Sequence, residues 1–153
     1  MSLEQDIQQS KFRNEYQKGI INLIYTYFWV NDCTRTIFKQ FDITQQQYNI
    51  LRILRGSHPK PCTVNFLKER MLDKMSDTSR LVDRLIKKDL VEKCQFKDDK
   101  RVSNINISLK GLKLLEEADK QVVLIDDILS NLDESEIKQL NLLLDKARNK
   151  GKK

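Results

Sequence analysis

The sequence predicts a mostly α-helical protein with one small β-hairpin, and three observations carry that expectation. Only 4 Gly and 2 Pro interrupt 153 residues that are 39% hydrophobic and 33% charged, and the remainder is rich in Leu, Ile, Lys, Gln and Glu, which favour helix. Apolar residues recur at steps of three and four through most of the chain, the repeat of an amphipathic helix. One stretch, Leu90 to Ile107, instead reads as two short strands about a polar turn. A chain of this length can bury one real core, or a core with arms that clasp a second copy.

The elements follow in chain order. Asp6 to Asn31 reads as a long helix, with Ile7, Tyr16, Ile20, Leu23, Ile24, Tyr27 and Phe28 at helical spacings. Its second half, Ile20 to Val30, is apolar on more than one face, which implies a second partner, most simply another copy of the chain. Cys33 to Gln40 reads as a separate short helix. Thr44 with Gln47 three residues on forms a capping box, opening a helix in which Tyr48, Leu51, Ile53 and Leu54 make the apolar stripe. Gly56 to Pro61 ends it in a loop. Thr63 can cap Val64 to Met71, with Phe66, Leu67 and Met71 inward.

The stretch that organises the rest is Met75 to Lys88. Leu81, Val82 and Leu85 share one helix face, while Arg80, Arg84, Lys87 and Lys88 lie opposite and Ser76, Thr78 and Ser79 occupy the first turn. An ordinary amphipathic helix with a solvated face has the same pattern. Following so closely on the Val64–Met71 helix, however, it makes a helix-turn-helix, whose second helix suits the DNA major groove. Asp89 falls where the chain needs a left-handed residue. Leu90 to Phe96 and Val102 to Ile107 then read as the strands, and Lys97, Asp98, Asp99, Lys100 and Arg101 crowd the tip. Cations there can reach a minor groove beside the helix. Ser108 caps a final helical region whose stripe runs from Leu109 to Leu132, restarting at Asp133-Glu134-Ser135-Glu136, where acids suit the positive end of a helix dipole.

Charge and chemistry narrow the function classes. The net charge is +6, and residues 70–101 hold 10 Lys and Arg against 7 Asp and Glu, an excess that permits phosphate binding. No apolar run approaches the roughly 20 residues that span a bilayer, and MSLEQDIQQSKF lacks a signal-peptide core, so a cytoplasmic protein without membrane contact is expected. Cys33, Cys62 and Cys94 are isolated, which suggests free thiols packed as small apolar side chains. His58, the sole histidine, lies in the Gly56–Pro61 loop. With no Ser/His/Asp set, no Cys/His pair, no metal-ligand cluster and no phosphate-binding glycine loop, neither an enzyme nor a cofactor is expected.

Read together, Thr63-Val64-Asn65-Phe66-Leu67, the Ser76–Leu85 run with its Arg-Leu-Val-Asp-Arg-Leu, Leu90-Val91, Asp99-Lys100-Arg101 and Ser108–Gly111 resemble the MarR family of bacterial transcription regulators. The resemblance covers about residues 44–112 without gaps. It implies a winged helix-turn-helix at residues 41–108, flanked by dimerisation helices at 1–40 and 109–153, in a homodimer that binds palindromic double-stranded DNA. Such proteins are typically repressors released by a small, often aromatic, effector. Carried over by position, Ser76, Thr78, Ser79 and Arg80 would meet base edges and nearby phosphates, and Arg84 would grip the backbone, with Lys87 on the same face. Arg101 would enter the minor groove from the wing, with Asp99 bracing it and Lys100 alongside. An effector would sit where Tyr25, Tyr27, Phe28 and Trp29 cluster. Two departures stand out: Asp77, at a position usually uncharged, where it can cap the helix instead, and Asp89 in place of a glycine. Redox-sensing members carry a cysteine near the start of the first helix, and Cys33 lies at the far end of that helix. The alternative to a DNA-binding regulator is a protein-interaction module or antirepressor on the same fold.

Overall fold

The computed structural model describes residues 2–94 and 104–149. In chain order the elements are α1 (Leu3–Asp6), α2 (Glu15–Lys39), α3 (Gln45–Ser57), β1 (Cys62–Thr63), α4 (Val64–Arg70), α5 (Thr78–Lys87), β2 (Val91–Cys94), β3 (Asn104–Ile107), α6 (Leu109–Asp126), a 3-10 turn at Asp127–Leu129, and α7 (Glu134–Arg148). The expected fold class holds: the protein is mostly helical with one small antiparallel sheet.

Most boundaries follow from the caps. Thr44 and Gln47 exchange the two hydrogen bonds of a capping box at the start of α3, Thr63 accepts from Phe66 N at α4, Ser108 accepts from Gly111 N at α6, and Asp133 with Glu136 caps α7. Each satisfies donors that a helix start leaves unpaired. Asp89 adopts the left-handed conformation, φ 58°, letting the chain leave α5 and turn into β2.

Four expectations are corrected. The first long helix starts at Glu15 rather than Asp6, because Asn14 caps it by accepting from Gln17 N. Asp6 belongs to the separate one-turn α1. Cys33 to Gln40 is not a second helix but the last turns of α2, since nothing between Val30 and Lys39 breaks the hydrogen-bond ladder. The helix of the last region ends at Asp126 and tightens into the 3-10 turn before Asp133. Finally, the sheet has a third strand: Cys62 and Thr63 pair with Ile105 and Asn104, giving the order β1-β3-β2. A two-residue strand has too little sequence to show an alternation. Between β2 and β3 the register runs from Val91 opposite Ile107 to Cys94 opposite Asn104. The hairpin tip lies outside the described residues.

The core is built on α3. Ile50, Leu51 and Leu54 of that helix meet Leu67, Val82, Leu85, Ile105 and Leu115 in one buried cluster. Phe66 packs against this cluster as expected, though only half-buried, and its outer face supports the Arg70 guanidinium, 3.5 Å above the ring. Of α2 only Thr34 and Phe38 are buried, and of α6 only Gly111, Leu115 and Ala118. Leu112, Leu114, Val122 and Ile125 of α6 pack half-buried against the edge of that core, and the more exposed lengths of both helices form arms on a head of residues 41–107. Gly111 is fixed by packing: a Cβ there would run into the Leu90 carbonyl and lie 2.8 Å from Ile107 Cγ1. With Ser108 Oγ donating to Asp89 O at 2.7 Å, this close approach latches the start of α6 onto the end of α5.

Candidate nucleic-acid interface

The helix α5 divides cleanly into two faces. Thr78, Leu81, Val82 and Leu85 are buried, while Ser79, Arg80, Asp83, Arg84 and Lys87 are exposed. Burying the three aliphatic side chains contributes roughly 1.5–3 kcal/mol each, so rotation of the helix, which would bury its cations, is strongly opposed. Its first turn is set by Asp77, whose carboxylate accepts from Arg80 N at 3.1 Å and lies 3.6 Å from Arg80 Nε. The acid at this position therefore serves as the N-cap and holds the first outward-facing arginine.

Two of the first-turn hydroxyls differ from expectation. Thr78 does not face outward: it is 3% exposed, and its Oγ1 has no hydrogen-bond partner among the described residues. Three and four residues before Leu81 and Val82, it lies on the inward stripe. Ser76 stands ahead of the helix, half-buried, with its hydroxyl donating to Asp73 O at 2.8 Å. Ser79 alone among them is both in the helix and exposed. Asp99, Lys100 and Arg101 lie outside the described residues.

Along the exposed face the charges are not equivalent. Arg80 is tied to Asp77, and Asp83 lies 3.5 Å from Lys93 of β2. Lys88 turns back to Asp42, 2.7 Å away. Among the described residues Arg84 and Lys87 form no ion pair, leaving two adjacent cations one turn apart for a phosphate. Beside them, Gln46 of α3 joins Ser76, Asp77, Arg80 and Arg84 around a pocket of about 210 Å³. Gln46 donates to Asp73 Oδ2 at 3.0 Å, holding the α4–α5 turn. No spacing in the sequence marks Gln46, because its role depends on how α3 crosses the turn.

A larger cleft of about 1330 Å³ runs between α2, the start of α3 and the far end of α5. Its walls include Tyr27, Arg35 and Lys39 of α2 and Arg84 and Lys87 of α5. The four aromatics expected to converge do not do so. Tyr27 alone lines the cleft, and Tyr25, Phe28 and Trp29 spread over the exposed face of α2. Successive helix positions diverge by about 100°, so four neighbouring residues cannot all face one cavity. Tyr27 and Phe28 meet edge to face, 5.5 Å between centroids.

Where α3 crosses α6, Tyr48 OH donates to Asp119 Oδ1 at 2.9 Å and Arg55 Nη1 to Asp119 Oδ2 at 2.5 Å. Partial burial alone would raise the Asp119 pKa, but the bonds from Arg55 and Tyr48 and the charge of Arg55 outweigh it and hold the carboxyl below its ordinary value. Burial, and then the Asp119 bond and charge, push the Tyr48 phenol up.

Comparison with known proteins converges on one family. Residues 41–102 match the MarR family model, a span that takes in α3, α4, α5 and β2 and ends two residues before β3. A MarR transcription factor from Planctomyces limnophilus is 29% identical, with a TM-score of 0.68 over 88% of this chain and 98% of that one. A cysteine variant of E. coli MarR complexed with operator DNA is 26% identical, with a TM-score of 0.70 over 90% and 99%. The organohalide-sensing regulator RdhR, bound to 2,4-dichlorophenol, shares the fold at 18% identity, with a TM-score of 0.81 over 92% and 86%. No match was found among curated protein sequences. No described helix is long and apolar enough to cross a membrane.

Proposed function

We propose, on the premise that residues 41–102 form a MarR-family domain, that this chain is a sequence-specific DNA-binding regulator acting as a homodimer. The observation that carries the reading is the pair Arg84 and Lys87, exposed and without ion-pair partners among the described residues, on a helix whose opposite face is locked into the core. Ser79 and Arg80 present their side chains on the first exposed turn, where a helix entering a major groove reads base edges. Arg101, with Asp99 and Lys100, is assigned to the minor groove on the resemblance alone. The E. coli relative crystallised with operator DNA supports the same use of the fold.

Support for pairing comes from the arms. Tyr16, Ile20, Leu23, Ile24, Tyr27 and Phe28 of α2 and Leu142 and Leu143 of α7 are all 50% or more exposed in the single chain. An apolar surface so extended marks a protein interface. With residues 1–40 and 109–153 as the dimerisation helices and 41–108 as the reading head, two copies would present two α5 helices to one duplex, about 34–36 Å apart.

Regulation is assigned to the large cleft. A small molecule seated there touches α2 and α5 together, so it can change how the head sits on the arms and act as the effector that releases a repressor. This is binding chemistry; no catalytic step is assigned to the chain. The test is a mobility-shift titration of the full chain against the DNA upstream of its own gene. Saturable binding at low salt, with inverted half-sites protected, is expected. No binding at low salt would overturn the reading in favour of a protein-interaction module or antirepressor.

A further inference from the structure

One polar junction between head and arms lies where α3 crosses α6. Tyr48 and Arg55 lie seven residues apart, two turns along the same face of α3, and one carboxylate of α6 bridges them. Asp119 follows Ala118, which is 1% exposed. Beyond Asp119 no residue of α6 is fully buried, although Val122 and Ile125 still pack against the edge of the core, so the carboxylate sits on the last fully buried turn of the helix. The other arm reaches the same place: Phe38 of α2 packs on the Tyr48 ring, 4.5 Å between centroids. Tyr48 thus touches both arms and the head.

Close packing of Leu115 and Ala118 in one cluster with Leu51 and Leu54 brings α3 and α6 together and limits how they cross. Two hydrogen bonds from donors two turns apart onto the two oxygens of one carboxylate have a preferred direction. They add a directional restraint on the angle between α3 and α6. Because α3 packs against α5 in the core, a restraint on α3 is passed on to the direction in which α5 faces. A small angular error at this junction becomes a large displacement at the far side of the head.

We propose that Asp119, acting through Tyr48 and Arg55, is a positioning residue that determines which half-site spacing the paired heads accept. The inference rests on the dimeric DNA-binding reading above. It predicts that Asp119 influences DNA choice without contacting DNA. The carboxylate limits the pair of α5 helices to one separation, and its loss lets each head pivot about the Phe38–Tyr48 contact.

Selection from a pool of random-sequence duplexes, with the full chain and its Asp119→Asn variant in parallel, tests it. The wild-type protein is expected to enrich inverted half-sites at a single centre-to-centre spacing near one helical turn. Asp119→Asn is expected to enrich the same half-site sequence spread over at least about three spacings one base pair apart, while remaining dimeric by sedimentation. A purely structural role would lower the melting temperature and leave the spacing unchanged. If Asp119→Asn does not fold, Tyr48→Phe and Arg55→Gln, each removing one of the two bonds, replace it and are expected to broaden the spacing separately. A variant that keeps the single wild-type spacing overturns the inference and leaves the functional reading standing. A wild-type protein that enriches no paired half-sites overturns the functional reading, and the inference with it.

Discussion

Thr78 shows how much a single side chain can decide. By position in the sequence it belongs with the hydroxyls that meet DNA. In the structure it is buried with an unpartnered oxygen, and an unsatisfied buried hydroxyl costs about 1–3 kcal/mol. Thr78→Val keeps the shape and removes that oxygen. The expected outcome is a protein at least as stable in urea titration, gaining up to about 1 kcal/mol, with DNA affinity unchanged. A large loss of affinity at unchanged stability would show that Thr78 turns outward to read a base. Asp119 gives a second expectation at this scale. Its pKa is lowered in the folded chain from the ordinary 3.8, so its ionised form favours folding. That contribution is complete above 3.8 and is lost as the pH falls through the depressed folded value. Melting temperature measured downward from pH 5 should therefore fall more steeply for the wild type than for Asp119→Asn; parallel curves would remove the carboxylate from the stability account.

At the scale of the element, α5 was legible in advance because its two faces are chemically distinct, and the three- and four-residue steps leave one way to seat it. Leu85→Ala should cost about 2–5 kcal/mol, since Leu85 is fully buried where α5 meets the core. Its effect on DNA binding should disappear at temperatures where the variant is fully folded, as circular dichroism alongside a binding titration would show. Persistent loss in the folded variant would mean that the apolar face does more than hold the helix. What the sequence left hidden is of two kinds. The length of a continuous helix is not legible where polar residues mimic an ending: α2 runs unbroken through Asn31, Asp32 and Cys33 because none of them breaks the hydrogen-bond ladder. Contacts between elements distant in sequence were also invisible, as with the β1 pairing to β3, the Gln46 bond to Asp73 and the Asp119 bridge. Each depends on how two elements cross, which no local spacing encodes. The capping residues, by contrast, act within three residues of themselves, and Thr44, Thr63 and Ser108 all do as their positions suggest.

At the scale of the whole molecule, the unequal burial of the helices is the central fact. The head has its own core, whereas α2 exposes apolar side chains along most of its length. A second copy is the simplest cover, and Ile24→Glu, which places a charge in the middle of that surface, should yield a folded monomer in sedimentation velocity. A dimer that persists would move the interface elsewhere. Such a monomer should still bind DNA, but weakly and without preference for paired half-sites, because each head would then act alone.

The most direct check on the account is the salt dependence of DNA binding, compared between the wild-type chain and Arg84→Ala. If the exposed cations of α5 rest on phosphates, the logarithm of affinity falls linearly with the logarithm of salt concentration, and removing Arg84 reduces that slope by about one for each head engaged. An unchanged slope in Arg84→Ala, with the variant folded and paired, would mean that this face of α5 does not meet the DNA backbone.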